Sequence, residues 1–290
     1  MKISDILQKK KLTVSFEIFP PKEDSAFEGV IRCANELSSL TPDFISVTYG
    51  AGGGTSSNTV KIVSHLQDSG VTPIAHLTCL SSSRLEVHHI IDELHNKKIV
   101  NIMALRGDRP RDPLFIPPGD YRYASDLVTD ILSRGDFCVG GACYPEGHPE
   151  SETPEQDIRS LKAKIDAGAS FLTTQMFFDN EIFSQFIDRA HSGGIHVPIL
   201  AGIMPVTNAR QIKRMIELSG ACIPAKLQSL IDRFGHDDQE MKKAGIDYAI
   251  EQIVDLPSRG TKGIHLYAMN KSDVVGAIVG GLGGIERFTQ

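Results

Sequence analysis

Short apolar runs and longer stretches of helical period alternate along the chain. In "TVSFEI" at 13–18, Val14, Phe16 and Ile18 alternate with Thr13, Ser15 and Glu17. A strand there turns the apolar trio to one face and the polar trio to the other. Pro20 and Pro21 stop the run, because proline cannot donate to a ladder. Further strands are predicted at 44–48, 73–77, 100–105, 138–144, 171–175, 197–201 and 263–268. Helical patterns separate them at 26–39, 59–69, 84–96, 126–133, 155–167 and 181–191, with extra helical material at 209–219, 224–234 and 239–256 before the last strand. Eight β/α units in 290 residues without a low-complexity linker predict an α/β protein, a single (β/α)8 TIM barrel spanning 1–290. A doubly wound sheet is the alternative, and it needs fewer strands.

Glu17 ends the polar face of the first strand. Alone, it reads first as a charge turned to water. Barrels of this class carry their sites at the carboxyl ends of the strands, with alternate side chains pointing inward. Nearly all the other strands also change from apolar to polar at that end: Thr48-Tyr49 after the second, His76 in the third, Arg106-Gly107-Asp108 after the fourth, Tyr144, Gln175 and Tyr267 at the fifth, sixth and eighth. A ring of such residues at one mouth turns Glu17 from water to a cavity.

Composition narrows the function classes. A net charge of −6, with no basic block or aromatic-interleaved Lys/Arg stripe, argues against a nucleic-acid surface and leaves small anionic ligands open. Five cysteines without CxxC spacing suggest neither a disulfide framework nor a zinc or iron-sulfur site, and a reducing cytoplasm suits them. "MKISDILQKKK" is too short and too charged for a signal sequence, and no apolar run reaches membrane-spanning length.

Single motifs are weak. "GAGGGTSSNT" follows a strand and opens a helix, where a phosphate could bind, yet it lacks the Walker Gly-Lys-Ser/Thr and has Thr55 in place of the third glycine of a dinucleotide fingerprint. A flexible turn with a Ser or Thr cap reads equally well. "LRGDRP" reads either as a surface Arg-Asp turn or as a charge pair beyond the fourth strand. His148 lies far from His76 in the sequence and no carboxylate stands at ligand spacing, so no metal site is expected.

Taken in order, "SFEIFPPK", "ISVTYGAGG", "AHLTC", "ALRGD", "YASDLV", "YPEGHPE", "KIDAGASFLTTQMFFD" and "GIMPV" resemble the short bacterial methylenetetrahydrofolate reductases, from about residue 10 to 275. The resemblance implies FAD at the barrel mouth and reduction of 5,10-methylenetetrahydrofolate to 5-methyltetrahydrofolate, with NADH or NADPH as reductant. It implies that Glu17 is the acid, that Asp108 serves both catalysis and binding, and that Thr48, Tyr49, Ala51, His76, Arg106, Gly107, Asp108, Tyr123, Ala124, Tyr144, His148, Asp157 and Lys164 surround FAD. Gln175, Gln211 and Lys271 would reach the folate. A homo-oligomer and a small electron-transfer partner protein are both compatible with it.

Two positions depart from the family pattern. Met215 stands where an aromatic follows the paired basic residues, and Lys271 stands where "LNR" has arginine. The second exchanges a bidentate fork for a point charge. The implied chemistry needs a proton, because the folate's five-membered ring must open before hydride can reach its bridging carbon. A carboxyl group desolvated beside a flavin ring is expected to have a pKa raised toward neutrality, which suits a general acid. The rivals are a pterin-binding barrel that transfers a methyl group without redox chemistry, and a non-catalytic subunit that binds folate or flavin for a partner.

Overall fold

The computed structural model describes residues 1–49, 56–109 and 114–290. Among them, parallel strands close a barrel in chain order: β1 (Thr13–Ile18), β2 (Phe44–Val47), β3 (Pro73–Thr78), β4 (Asn101–Leu105), β5 (Cys138–Cys143), β6 (Phe171–Thr174), β7 (Ile199–Ile203) and β8 (Gly263–Tyr267). The ring closes where β8 pairs with β1, setting Tyr267 opposite Glu17. The helices are α1 (Ile3–Lys9), α2 (Phe27–Ser38), α3 (Ser56–Asp68), α4 (Arg84–Asn96), α5 (Ala124–Ser133), α6 (Pro154–Asp166), α7 (Asn180–Ser192), α8 (Ala209–Ser219), α9 (Ala225–Phe234), α10 (Asp238–Asp255), α11 (Ser272–Gly281) and α12 (Ile285–Phe288). The expected (β/α)8 barrel is present, with α8, α9 and α10 as the additional helices before the last strand. No described helix is long and apolar enough to cross a membrane.

Strand parity sorts the core. Val14, Phe16 and Ile18 of β1 pack outward with Ile45, Val47, Leu77, Leu172, Ile203 and Leu266 in one apolar layer shared with the surrounding helices. The opposite parity points into the lumen. Its lower part is apolar, with Phe44, Ile74, Met103, Cys138, Phe171 and Leu200 in one cluster. Gly140 makes room there, since a Cβ on it would stand 2.3 Å from the Phe171 ring.

Helix α1 closes this lower end, which the sequence reading does not foresee. Ile3, Ile6 and Leu7, spaced i, i+3 and i+4, join the same lumen cluster and are almost fully buried. Each contributes roughly 1.5–3 kcal/mol by leaving water. The seventh strand also begins two residues later than expected, because Pro198 cannot donate to the ladder; its carbonyl still accepts from Leu172 at 2.9 Å. The later start does not change which residues face inward, since only a slip in pairing register would do so.

Candidate active site

Glu17 reaches the cavity floor with its side chain 17% exposed. Ser46, on the neighbouring β2, donates to Glu17 Oε2 at 3.3 Å. His265, two residues before the end of β8, places Nε2 3.4 Å from the same oxygen. Its Nδ1 lies 2.7 Å from Ser15 Oγ, two residues before Glu17. One neutral tautomer serves both contacts: Nδ1 accepts from the Ser15 hydroxyl and Nε2 donates to the carboxylate. His76 Nε2 stands 3.4 Å from Glu17 Oε2 without hydrogen-bond geometry, and that buried atom has no other partner.

These neighbours set the titration of Glu17 in the ligand-free chain. Burial pushes its carboxyl up, but the charge attraction of His76, with the hydrogen bonds of His265 and Ser46, outweighs burial and leaves it below the ordinary carboxylate range. The raised pKa expected beside a flavin ring is therefore not a property of the ligand-free chain. Burial also holds His76 below the ordinary histidine range, against the pull of Glu17. Tyr267, the last residue of β8, closes the floor beside Glu17, its hydroxyl donating to the Thr174 carbonyl at 2.5 Å. Gly202 permits that contact, since a Cβ there would lie 2.6 Å from the Tyr267 hydroxyl.

Above this floor opens a cavity of about 400 Å³, lined by Glu17, Thr48, Tyr49, His76, Arg106, Gly107, Asp108, Ala124, Tyr144, His148, Lys164 and Gln175 among others. All twelve were singled out from the sequence. Gly107, at φ 84°, turns the chain after β4 between Arg106 and Asp108. The Gln175 side chain accepts from the Met176 N–H at 2.9 Å.

A second cavity of about 490 Å³ shares Arg106, Ala124, Tyr144, His148 and Lys164 with the first, and adds Tyr123 and Asp157. Arg106 grips Glu150 with both guanidinium nitrogens, at 2.6 and 2.7 Å. Lys164 donates to the Ala142 carbonyl at 2.5 Å, and burial holds its ammonium below the ordinary lysine range. Burial and the charge of Arg106 likewise depress His148, while burial and Asp108 push Tyr144 up to about 12. The Tyr144 and His148 rings meet edge to face at 4.7 Å. Helix α5 begins at Ala124, with the Asp126 carboxylate accepting from the N–H groups of Arg122 and Tyr123.

Gln211 and Lys271 line neither cavity. Gln211 sits exposed in the first turn of α8, whose cap Asn208 accepts from its N–H at 3.2 Å. Lys271 follows β8 and donates to Thr207 Oγ1 at 3.1 Å, so both residues flank the mouth near the start of α8. Met215 packs with Met176, Phe178, Met204, Ile212 and Leu227 in an apolar cluster between the extra helices and the barrel. Ala51 and the glycine-rich loop from Gly50 to Thr55 lie outside the described residues. Ser15, Ser46 and His265 were missed by the sequence reading, although each lies two residues before a strand-end residue that it found: Glu17, Thr48 and Tyr267.

Three comparisons bear on this arrangement. The family described as "Methylenetetrahydrofolate reductase" matches residues 2–283. The 5,10-methylenetetrahydrofolate reductase of Escherichia coli (strain K12) is 38% identical, covering 94% of this chain and 91% of its own length. Methylenetetrahydrofolate reductase (NADH) 1 of Arabidopsis thaliana is 34% identical, covering 98% of this chain and 50% of its own. Among solved structures, a Clostridium thermocellum protein described as binding two copies of 5-methyl-5,6,7,8-tetrahydrofolic acid superposes with a TM-score of 0.63 at 15% identity over all of both chains, a likeness of fold. A match across nearly the whole length, with the strand-end residues gathered at one mouth, shows that the chain belongs to the methylenetetrahydrofolate reductase family.

Proposed function

We propose that the chain reduces 5,10-methylenetetrahydrofolate to 5-methyltetrahydrofolate, with FAD held across the two connected cavities and Glu17 as the acid that opens the folate ring. The observation that carries this reading is the chain of contacts from Ser15 through His265 to Glu17 at the cavity floor. A carboxyl group at a cavity floor, held in place by an imidazole, can carry a proton to a bound substrate.

The residues present suit a flavin dinucleotide. Each cavity lies in the size range of small-molecule sites, and the two meet at Arg106 and Lys164. Lys164 is desolvated yet forms no ion pair among the described residues, so an anionic diphosphate would satisfy it. The N-terminus of α5 adds a favourable dipole there. His76 Nε2, buried without a hydrogen-bond partner, offers a polar contact to a ring edge in the first cavity. When bound, FAD supplies a two-electron carrier between a reduced nicotinamide and the folate carbon.

The remaining steps belong to the chain. Glu17 gives its proton toward N10 of the folate, and the ring opens to the N5 iminium that a hydride can reach. The free chain keeps Glu17 ionised at neutral pH, so proton uptake must accompany substrate binding; planar rings that displace water above the carboxylate push its pKa upward. Asp108 accepts from the pterin amino group, and Gln175 offers both a donor and an acceptor to the pterin edge. Gln211 and Lys271 hold the distal part of the folate from the α8 side of the mouth.

The test is an anaerobic titration of the purified chain reconstituted with FAD. NADH comes first, since the plant relative's name specifies it, then NADPH. Bleaching of the flavin band by a nicotinamide and its return on adding methylenetetrahydrofolate is the expected result. A chain that takes up no FAD, or a chemically reduced flavin that the folate does not reoxidise, contradicts the reading. Bleaching by neither nicotinamide, with reoxidation intact, would assign the electron supply to a partner protein.

A further inference from the structure

The turn after β8 is tied to the exit of β1 by one side chain. Met269 and Asn270 both occupy the left-handed region, at φ 51° and 53°. A β-carbon is disfavoured there, and asparagine is among the few side chains that tolerate it. The Asn270 carboxamide closes a reciprocal pair on Phe19: Oδ1 accepts from the Phe19 N–H at 3.0 Å, and Nδ2 donates to the Phe19 carbonyl at 2.9 Å. One step earlier, the Ala268 N–H donates to the Glu17 carbonyl at 3.0 Å. Pro20 and Pro21 follow, so the backbone of β1 has no ladder donor to offer beyond Phe19.

Asn270 thus continues the β1–β8 ladder by side chain after the strands have ended. On one side of the clamp, two residues away, stands Glu17. On the other, next in sequence, stands Lys271, whose N–H returns to the Ala268 carbonyl at 2.8 Å and whose ammonium reaches Thr207.

We propose that Asn270 is a positioning residue of the reductase reaction, fixing Glu17 of β1 against the turn that carries Lys271, so that the proton donor and the folate-binding cation act on one substrate in register. The proposal rests on the roles assigned above to Glu17 and Lys271. Two bonds to one residue, through its N–H and its carbonyl, fix both the distance and the orientation of the β1 exit, which a single bond would leave free to rotate. The carboxylate sits above His265 on the adjacent strand, so a shift between β1 and β8 also alters the contacts that set its proton affinity.

The test uses two variants of the FAD-loaded chain. Asn270→Gly keeps the left-handed turn without strain and removes both bonds. Asn270→Asp keeps an acceptor for the Phe19 N–H and sets a carboxylate oxygen against the Phe19 carbonyl. Three quantities are read: oxidation of reduced nicotinamide with an artificial quinone acceptor, kcat and KM for the folate step, and the pH dependence of that kcat. The expected result is parental quinone reduction in both variants. For Asn270→Gly the folate kcat falls roughly 10- to 100-fold, the scale of a misplaced reacting group. Its pH profile is displaced, the folate KM rises, and Asn270→Asp falls between parent and Gly.

A Gly variant with the parental folate kcat, KM and pH profile overturns the proposal. Loss of quinone reduction in proportion to folate reduction also overturns it, because the whole mouth has then loosened. If the parent chain itself fails to reduce methylenetetrahydrofolate, the functional reading falls and this proposal with it; if the parent is active and only the variants are indifferent, Asn270 alone is misassigned.

Discussion

His265 holds Glu17 from the adjacent strand, Nε2 to Oε2 at 3.4 Å, while its other ring nitrogen rests 2.7 Å from Ser15. The contact crosses the β1–β8 seam that closes the barrel, so it links the chain's first strand to its last. It also has a direction. A donor on the carboxylate favours the ionised form, and removing it lets burial dominate.

His265→Asn is therefore expected to raise the Glu17 pKa in the folded chain. Glu17 works protonated, so the folate-reduction rate falls as pH rises through its pKa, and in the variant that fall should move to higher pH. The rate at the plateau should drop on the order of 10-fold or more as the carboxyl group loses the contact that orients it. The pH profile of kcat for the folate step, parent against variant, measures both; a fall at unchanged pH would separate His265 from the proton on Glu17.

Stability should also depend on pH, with His76 contributing a definite sign. Burial depresses its folded pKa below the usual 6.5, so on acidification the unfolded chain binds a proton that the folded chain refuses. Its contribution to stability is intact above that value and is lost as pH falls below it. Glu17 acts in the same sense lower down: its folded pKa is depressed, so it stabilises above the unfolded carboxylate value of 4.5 and loses this as pH falls through its folded pKa. Urea midpoints of the flavin-free chain from pH 8 downward should decline, and His76→Gln should flatten the part of the decline that begins near 6.5. An equal slope in the variant would place the acid sensitivity elsewhere.

Lys271 offers a test of folate-tail binding. A partly solvated ammonium contributes about 0.5–1 kcal/mol to a carboxylate contact. Lys271→Ala should raise the KM for polyglutamyl folate with little change in kcat, since tail binding is equal in ground and transition states. Lys271→Arg should lower that KM and its salt dependence, because a planar fork can grip a carboxylate with two parallel bonds. Steady-state kinetics at two salt concentrations and two tail lengths read this out. Parental values for the Ala variant at every tail length would leave Lys271 only its bond to Thr207.

Much of this was legible in the sequence, for identifiable reasons. The boundaries of β1 follow from strict alternation and two terminating prolines, and polar strand ends point to the mouth. α1 escaped because three apolar side chains in a seven-residue helix give little periodic signal, and its burial depends on a lumen that other strands build. His265 escaped because it sits within an apolar run and becomes a partner of Glu17 only when β8 closes against β1. Burial of Glu17 can be read from one strand, but the groups that oppose it come from three others: hydrogen bonds from Ser46 of β2 and His265 of β8, and charge from His76 of β3. Stepping two residues back from each polar strand end would have found Ser15, Ser46 and His265 together.

The central claim is that Glu17 supplies the proton that lets hydride reach the folate, and Glu17→Gln separates this from every other role of the site. The amide keeps the size and polarity of the carboxyl group and cannot give up its proton. The decisive measurement is a stopped-flow comparison of the two half-reactions in the FAD-loaded parent and variant. The expected result is reduction of the flavin by the nicotinamide at the parental rate, with its reoxidation by methylenetetrahydrofolate slowed by on the order of 10² or more. Reoxidation of the variant at the parental rate would contradict the claim.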